Sequence, residues 1–188
     1  MGKLVIISAP SGAGKTTIVK HLLKCGLNLE FSVSATTRPK RIDETDGIDY
    51  YFISINDFKK RIENGDFIEW EEVYKNHFYG TLKSEFERIW AKGKHILFDV
   101  DAKGGINLKN MYGTNSIALF IMPPSVEELK NRLVKRGTDK QAKIMMRVQK
   151  ASEEIKFAGE YDYIVINQNL DRATSEVLDI ISSFINKQ

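Results

Sequence analysis

Residues 4–17, Leu-Val-Ile-Ile-Ser-Ala-Pro-Ser-Gly-Ala-Gly-Lys-Thr-Thr, join a short apolar, β-branched run to a glycine-rich turn and a Lys-Thr helix start. A strand delivered into such a turn and followed at once by a helix is the layout of a phosphate-binding P-loop. Gly12 and Gly14 let the backbone wrap closely round an anion, with successive N–H groups turned into the cradle. The helix opening at Lys15 adds its positive dipole end and its unpaired first N–H donors. Lys15 then bridges the β- and γ-phosphates of a nucleoside triphosphate, and the Thr16 hydroxyl ligates Mg²⁺. The G-x-x-x-x-G-K-[ST] pattern calls for glycine at position 9, where this chain has Ala9. A methyl group there is tolerable if the local φ is negative.

The 188 residues suit one sizeable domain. A formal charge of +3 argues against a general nucleic-acid surface, so anion affinity is expected in local arginine clusters. The single cysteine, Cys25, excludes an internal disulfide and suits a reducing compartment. No apolar run approaches the roughly 18 residues of a membrane span. With a strand beginning so near the N-terminus and no signal segment before it, a cytoplasmic protein is expected. Nothing in the sequence sets an oligomeric state.

Strands and helices alternate along most of the chain, which predicts an α/β fold with a parallel sheet flanked by helices. The expected strands are 4–8, 31–34, 95–100, 117–121 and 163–166; the expected helices are 15–24, 84–92, 105–111, 126–135, 140–157 and 172–186. Ser125 before Glu127 and Glu128 reads as a capped helix start. Residues 35–82 break the alternation and read as a small inserted lobe. Residues 136–147 form a basic, polar stretch that suits either a flap over a phosphate site or a solvated helix connection.

Arg38 and Arg41 flank a proline-stiffened turn, with Tyr50 shortly after. Two guanidinium forks and a phenol suit a second phosphate, distinct from the one in the P-loop, though a solvated basic turn would read alike. Asp99 and Asp101 end a predicted core strand, where ligands bind in open α/β sheets; they suit either water-mediated Mg²⁺ contacts or helix capping. His21, His77 and His95 lack metal-ligand spacing.

In order behind the P-loop come Ser34-Ala-Thr-Thr-Arg38, Arg41, Glu44, Gly47, Tyr50, Phe67-Ile-Glu69-Trp, Tyr79-Gly-Thr81, Asp99-Val-Asp101, Pro123-Pro-Ser and Arg136-Gly-Thr. This set resembles the guanylate kinase family over nearly the whole chain. The resemblance implies transfer of the γ-phosphoryl of ATP to GMP, with Mg²⁺, ATP and GMP bound and neither nucleic acid nor membrane as partner. It implies a P-loop core (1–34, 83–125 and 158–188), a GMP-binding lobe (35–82) and a lid (about 126–157). ATP would then lie on Ser11, Gly12, Ala13, Gly14, Lys15, Thr16 and Thr17, with Asn167 at the adenine. Arg38, Arg41, Tyr50 and Tyr79 would hold the GMP phosphate, and Ser34 and Glu69 would read the guanine. Thr81, Asp99 and Asp101 would also border GMP, and Arg136 and Arg147 would reach the transferring phosphoryl from the lid. Lys40, Asp43, Lys140-Gln141 and Gln168 depart from the family's usual residues. Base chemistry agrees with the resemblance: guanine offers adjacent N1–H and N2 donors that one carboxylate accepts together, whereas adenine presents an acceptor at N1. Glu69 between Ile68 and Trp70 is otherwise an ordinary outward strand residue. Intact Lys15 and Thr16 argue against a non-catalytic interaction module of the same architecture, and Ser34 and Glu69 against a kinase for another nucleoside monophosphate.

Overall fold

The computed structural model describes residues 2–137 and 141–187, with Arg136 described by its backbone alone. The chain runs β1 (Leu4–Ser8), α1 (Lys15–Leu22), β2 (Leu29–Phe31), β3 (Ala35–Thr36), β4 (Tyr51–Phe52), α2 (Ile55–Glu63), β5 (Phe67–Tyr74) and β6 (His77–Leu82). It continues with α3 (Lys83–Trp90), β7 (His95–Val100), α4 (Ala102–Tyr112), β8 (Ser116–Met122), α5 (Val126–Arg136), α6 (Gln141–Glu154), β9 (Tyr163–Ile166) and α7 (Leu170–Asn186).

Five strands form a parallel sheet in the order β2-β7-β1-β8-β9. The central strand β1 is buried along its whole length, which is why it reads as an unbroken apolar run. Its residues alternate between two cores. Val5 and Ile7 pack with Ile18 and Leu22 of α1 and Val177 and Ile181 of α7. Leu4 and Ile6 pack on the opposite face with Phe86 and Ile89 of α3 and Leu108 of α4.

The second sheet, β4-β3-β6-β5, takes all its strands from residues 35–82, the expected inserted segment. It is mixed, since β3 runs parallel to β4 and antiparallel to β6. Its own core stacks Phe58 of α2 on Phe67 with ring centroids 4.4 Å apart. Helix α2, absent from the sequence reading, is started by Ser54, whose hydroxyl accepts the Asp57 N–H at 3.0 Å. Ser125 caps α5 as expected, accepting the Glu128 N–H at 3.0 Å. β2 is shorter and earlier than the predicted 31–34, because the chain is already crossing toward the second sheet at Val33 and Ser34. Helix α6 ends at Glu154, and a 3₁₀ turn carries the chain through Ile155–Glu160. Among the described residues, no helix is long and apolar enough to cross a membrane.

Candidate active site

The turn from β1 into α1 is a wrapped loop with Gly12 at φ +99° and Gly14 at φ +96°, a region costly for any residue with a Cβ. Ala9 is not among the residues of positive φ, so its methyl meets the condition set by the sequence. Ser11, Gly12, Gly14, Lys15, Thr16 and Thr17 line one cavity of about 930 Å³. Ala13 is buried behind the loop, and its carbonyl accepts the Asn167 side-chain amide at 2.7 Å. Lys15 donates to the Val100 carbonyl at 2.9 Å and pairs with Asp99, so the end of β7 sets where its ammonium sits.

The same cavity reaches Ser34, Arg38, Arg41, Tyr50, Glu69, Tyr79, Asp99, Asp101 and Arg147. Parts drawn from both sheets and from α6 therefore face one space. Arg38 grips Glu44 with both terminal nitrogens, and the Arg41 N–H donates to Glu44 at 2.9 Å. Burial opposes the charge on Glu44, yet the Arg38 fork and the Arg41 N–H hold it below the usual carboxylate range. Arg38 also lies 4.9 Å from the centroid of the Tyr50 ring. Burial, helped by the nearby Asp99 charge, pushes the Tyr50 phenol well up, so it remains a protonated donor.

Glu69, on β5, is 8% exposed and accepts the Thr81 hydroxyl at 2.6 Å. Burial pushes its carboxyl up to about 7, against the Thr81 hydrogen bond and with the help of Asp101. Thr81 is fully buried, so it stands behind Glu69 rather than facing the cavity. Asp101 lines the cavity and also caps α4, accepting the Gly104 N–H at 2.7 Å. A Cβ at Gly104 would come within 2.6 Å of Glu69 Oε2 and 3.1 Å of Asp101 Oδ1. Gly104→Ala is therefore expected to keep the fold and to displace the Glu69 carboxylate, the far end of a flexible side chain. With Glu69 as the guanine reader that the resemblance implies, the KM for GMP is expected to rise about tenfold while the melting temperature stays near wild type. Steady-state kinetics and a thermal melt check it; an unchanged KM speaks against Glu69 in that role.

Asn167 is 3% exposed, with its side chain beneath the P-loop and its carbonyl accepting from Arg132 at 3.0 Å. The side chain expected at the adenine thus spends an N–H as a strut under Ala13. Arg147 is buried and donates to the Ser11 hydroxyl at 3.0 Å. The side chain of Arg136 and residue Lys140 lie outside the described residues. Among the cavity residues that escaped the sequence reading are Arg132 and Glu154. Arg132 sits one turn before Arg136 on α5, and Glu154 lies two turns past Arg147 on α6. Both spacings put side chains on one helix face, the signal that could have found them. Burial pushes the Glu154 carboxyl up to about 7, against Lys15 and Lys150.

A family model described as guanylate kinase matches residues 1–184. The guanylate kinase of Bacteroides thetaiotaomicron is 48% identical over 187 residues, covering 100% of this chain and 92% of that protein. That of Porphyromonas gingivalis is 48% identical over 188 residues, with both chains fully covered. The crystal structure of guanylate kinase from Anaplasma phagocytophilum superposes with a TM-score of 0.80 at 30% identity, covering 100% of this chain and 88% of that one. The chain belongs to the guanylate kinase family, and the reaction it catalyses is the ATP-dependent phosphorylation of GMP to GDP.

Proposed function

We propose that the cavity holds both nucleotides at once, with the triphosphate of ATP on the P-loop and GMP against the second sheet. Its supporting observation is the single space of about 930 Å³ bordered by Lys15 and Thr16 at one end and by Arg41, Tyr79 and Glu69 at the other. The loop N–H groups and the α1 N-terminus take the β- and γ-phosphates, and Lys15 neutralises charge as the γ-phosphoryl leaves. Arg38, Arg41, Tyr50 and Tyr79 hold the acceptor phosphate. Ser34 and Glu69 read guanine, Thr81 orients Glu69, and Asp99 and Asp101 border GMP. Arg136 and Arg147 reach the transferring phosphoryl from a lid of about residues 126–157, which closes over a core (1–34, 83–125 and 158–188) and a GMP-binding lobe (35–82).

The donor set suits Mg²⁺. Mg²⁺ favours one or two protein oxygens with phosphates and water, and Thr16, Asp99 and Asp101 offer oxygens around the cavity that the P-loop lines. Thr16 would ligate it directly, and Asp99 and Asp101 through water. When bound, the ion screens the phosphate charge.

The nucleophile is an ionised oxygen of the GMP phosphate, so no side chain needs to remove a proton. The protein's contribution is alignment, charge neutralisation and exclusion of water, which would otherwise accept the phosphoryl. Arg41→Met tests the acceptor half. The KM for GMP should rise and kcat fall, together lowering kcat/KM about a hundredfold, with the KM for ATP unchanged. A variant that weakens only ATP would move Arg41 to the donor side.

A further inference from the structure

A charged cluster built round one buried carboxylate stands where the chain passes between the two sheets. The outgoing crossing leaves β2 and reaches β3 through Ser32, Val33 and Ser34; the return runs from β6 straight into α3. Glu85, in the first turn of α3, is 2% exposed. Its Oε2 accepts the Val33 N–H at 2.7 Å, and its Oε1 accepts the Tyr51 hydroxyl at 3.0 Å. Arg88, one turn later, donates to both oxygens at 2.9 and 2.8 Å and also to the Phe31 carbonyl at 3.0 Å. Burial opposes the Glu85 charge, but these donors outweigh it and hold its pKa below the ordinary carboxylate range.

The two neutral partners of this carboxylate occupy telling positions. Val33 immediately precedes Ser34, and Tyr51 immediately follows Tyr50. Ser34 and Tyr50 both line the cavity, at the base and phosphate ends of the acceptor site proposed above. Neither Glu85 nor Tyr51 borders that cavity. Apolar contact could stabilise the crossing equally well, but four directed hydrogen bonds to one carboxylate fix orientation too.

We propose that Glu85 is a positioning residue for the acceptor nucleotide: through the Val33 N–H and the Tyr51 hydroxyl it sets Ser34 and Tyr50 against each other without touching GMP. This inference rests on the acceptor-site reading. Displacing one group of a binding constellation costs alignment even when every contacting residue is retained.

The experiment compares Tyr51→Phe and Glu85→Gln with Ser34→Ala and Tyr50→Phe, varying GMP and ATP separately and recording melting temperatures. Tyr51→Phe removes a single hydroxyl, so it guards against a Glu85 variant that fails to fold. The expected result is a rise of about tenfold in the KM for GMP for Tyr51→Phe and Glu85→Gln, with the KM for ATP at its wild-type value. If Ser34→Ala and Tyr50→Phe raise the KM for GMP while Tyr51→Phe and Glu85→Gln change only the melting temperature, Glu85 is a brace; the inference falls and the site reading stands. If Ser34→Ala and Tyr50→Phe leave it unchanged, the site reading falls and the inference with it.

Discussion

Lys15→Met is expected to give a folded protein whose turnover is lower by about 10²- to 10³-fold, the usual loss when one preorganised charge is removed from a transition state. The ammonium sits at the base of the loop, anchored to the Val100 carbonyl at 2.9 Å and paired with Asp99. Methionine keeps most of the stem's length and packing, so the deficit should fall on kcat rather than on the fold. Asp99 loses its partner, but its side chain is 15% exposed and water can take up that role. ADP release under saturating substrates, with a thermal melt alongside, measures both quantities. Turnover within a few-fold of wild type would take the P-loop lysine out of the mechanism.

Glu69→Gln should weaken GMP by roughly 2–4 kcal/mol in kcat/KM, because one acceptor oxygen becomes an NH₂ that faces a donor of guanine. Discrimination against AMP should narrow as the carboxylate disappears, and ATP should be nearly unaffected. Titration adds a second signature. Burial pushes the Glu69 carboxyl up to about 7, above its ordinary 4.5, so in the ligand-free protein its stabilising contribution is full below 4.5 and lost as pH rises through about 7. Guanine's donors favour the ionised form, so GMP affinity should run the other way and weaken as pH falls through about 7. The ratio of wild type to Glu69→Gln in kcat/KM for GMP should therefore shrink on the acid side. A GMP/AMP ratio unchanged by the substitution, tested across GMP, AMP, CMP and UMP, would return Glu69 to an ordinary place on a strand.

The phosphate-binding loop was legible because its determinants are contiguous. A buried strand, two glycines at positive φ and a Lys-Thr helix start lie within residues 4–17, and each leaves a local mark. The proposed acceptor half is assembled by sheet pairing that local patterns do not encode. β5 carries Glu69, Glu71 and Glu72 among its apolar residues, and its turn into β6 uses Asn76 at φ +62° with no glycine to announce it. Glu69 reaches its place through the pairing of β5 with β6, opposite Thr81. The family resemblance supplied that neighbourhood where spacing could not. Asp101 takes the capping role that the sequence left open, with one oxygen on α4, and it also borders the cavity, where the Mg²⁺ reading remains the proposal. Asn167 was expected at the adenine, and its side-chain N–H is spent on the Ala13 carbonyl under the loop.

That hydrogen bond has a consequence in time as well as in space. Asn167 and Ala13 are 154 residues apart, so the loop built first on the ribosome receives its strut only when the last strand of the sheet docks. A nascent chain carries the complete phosphate-binding motif long before it has a rigid cradle.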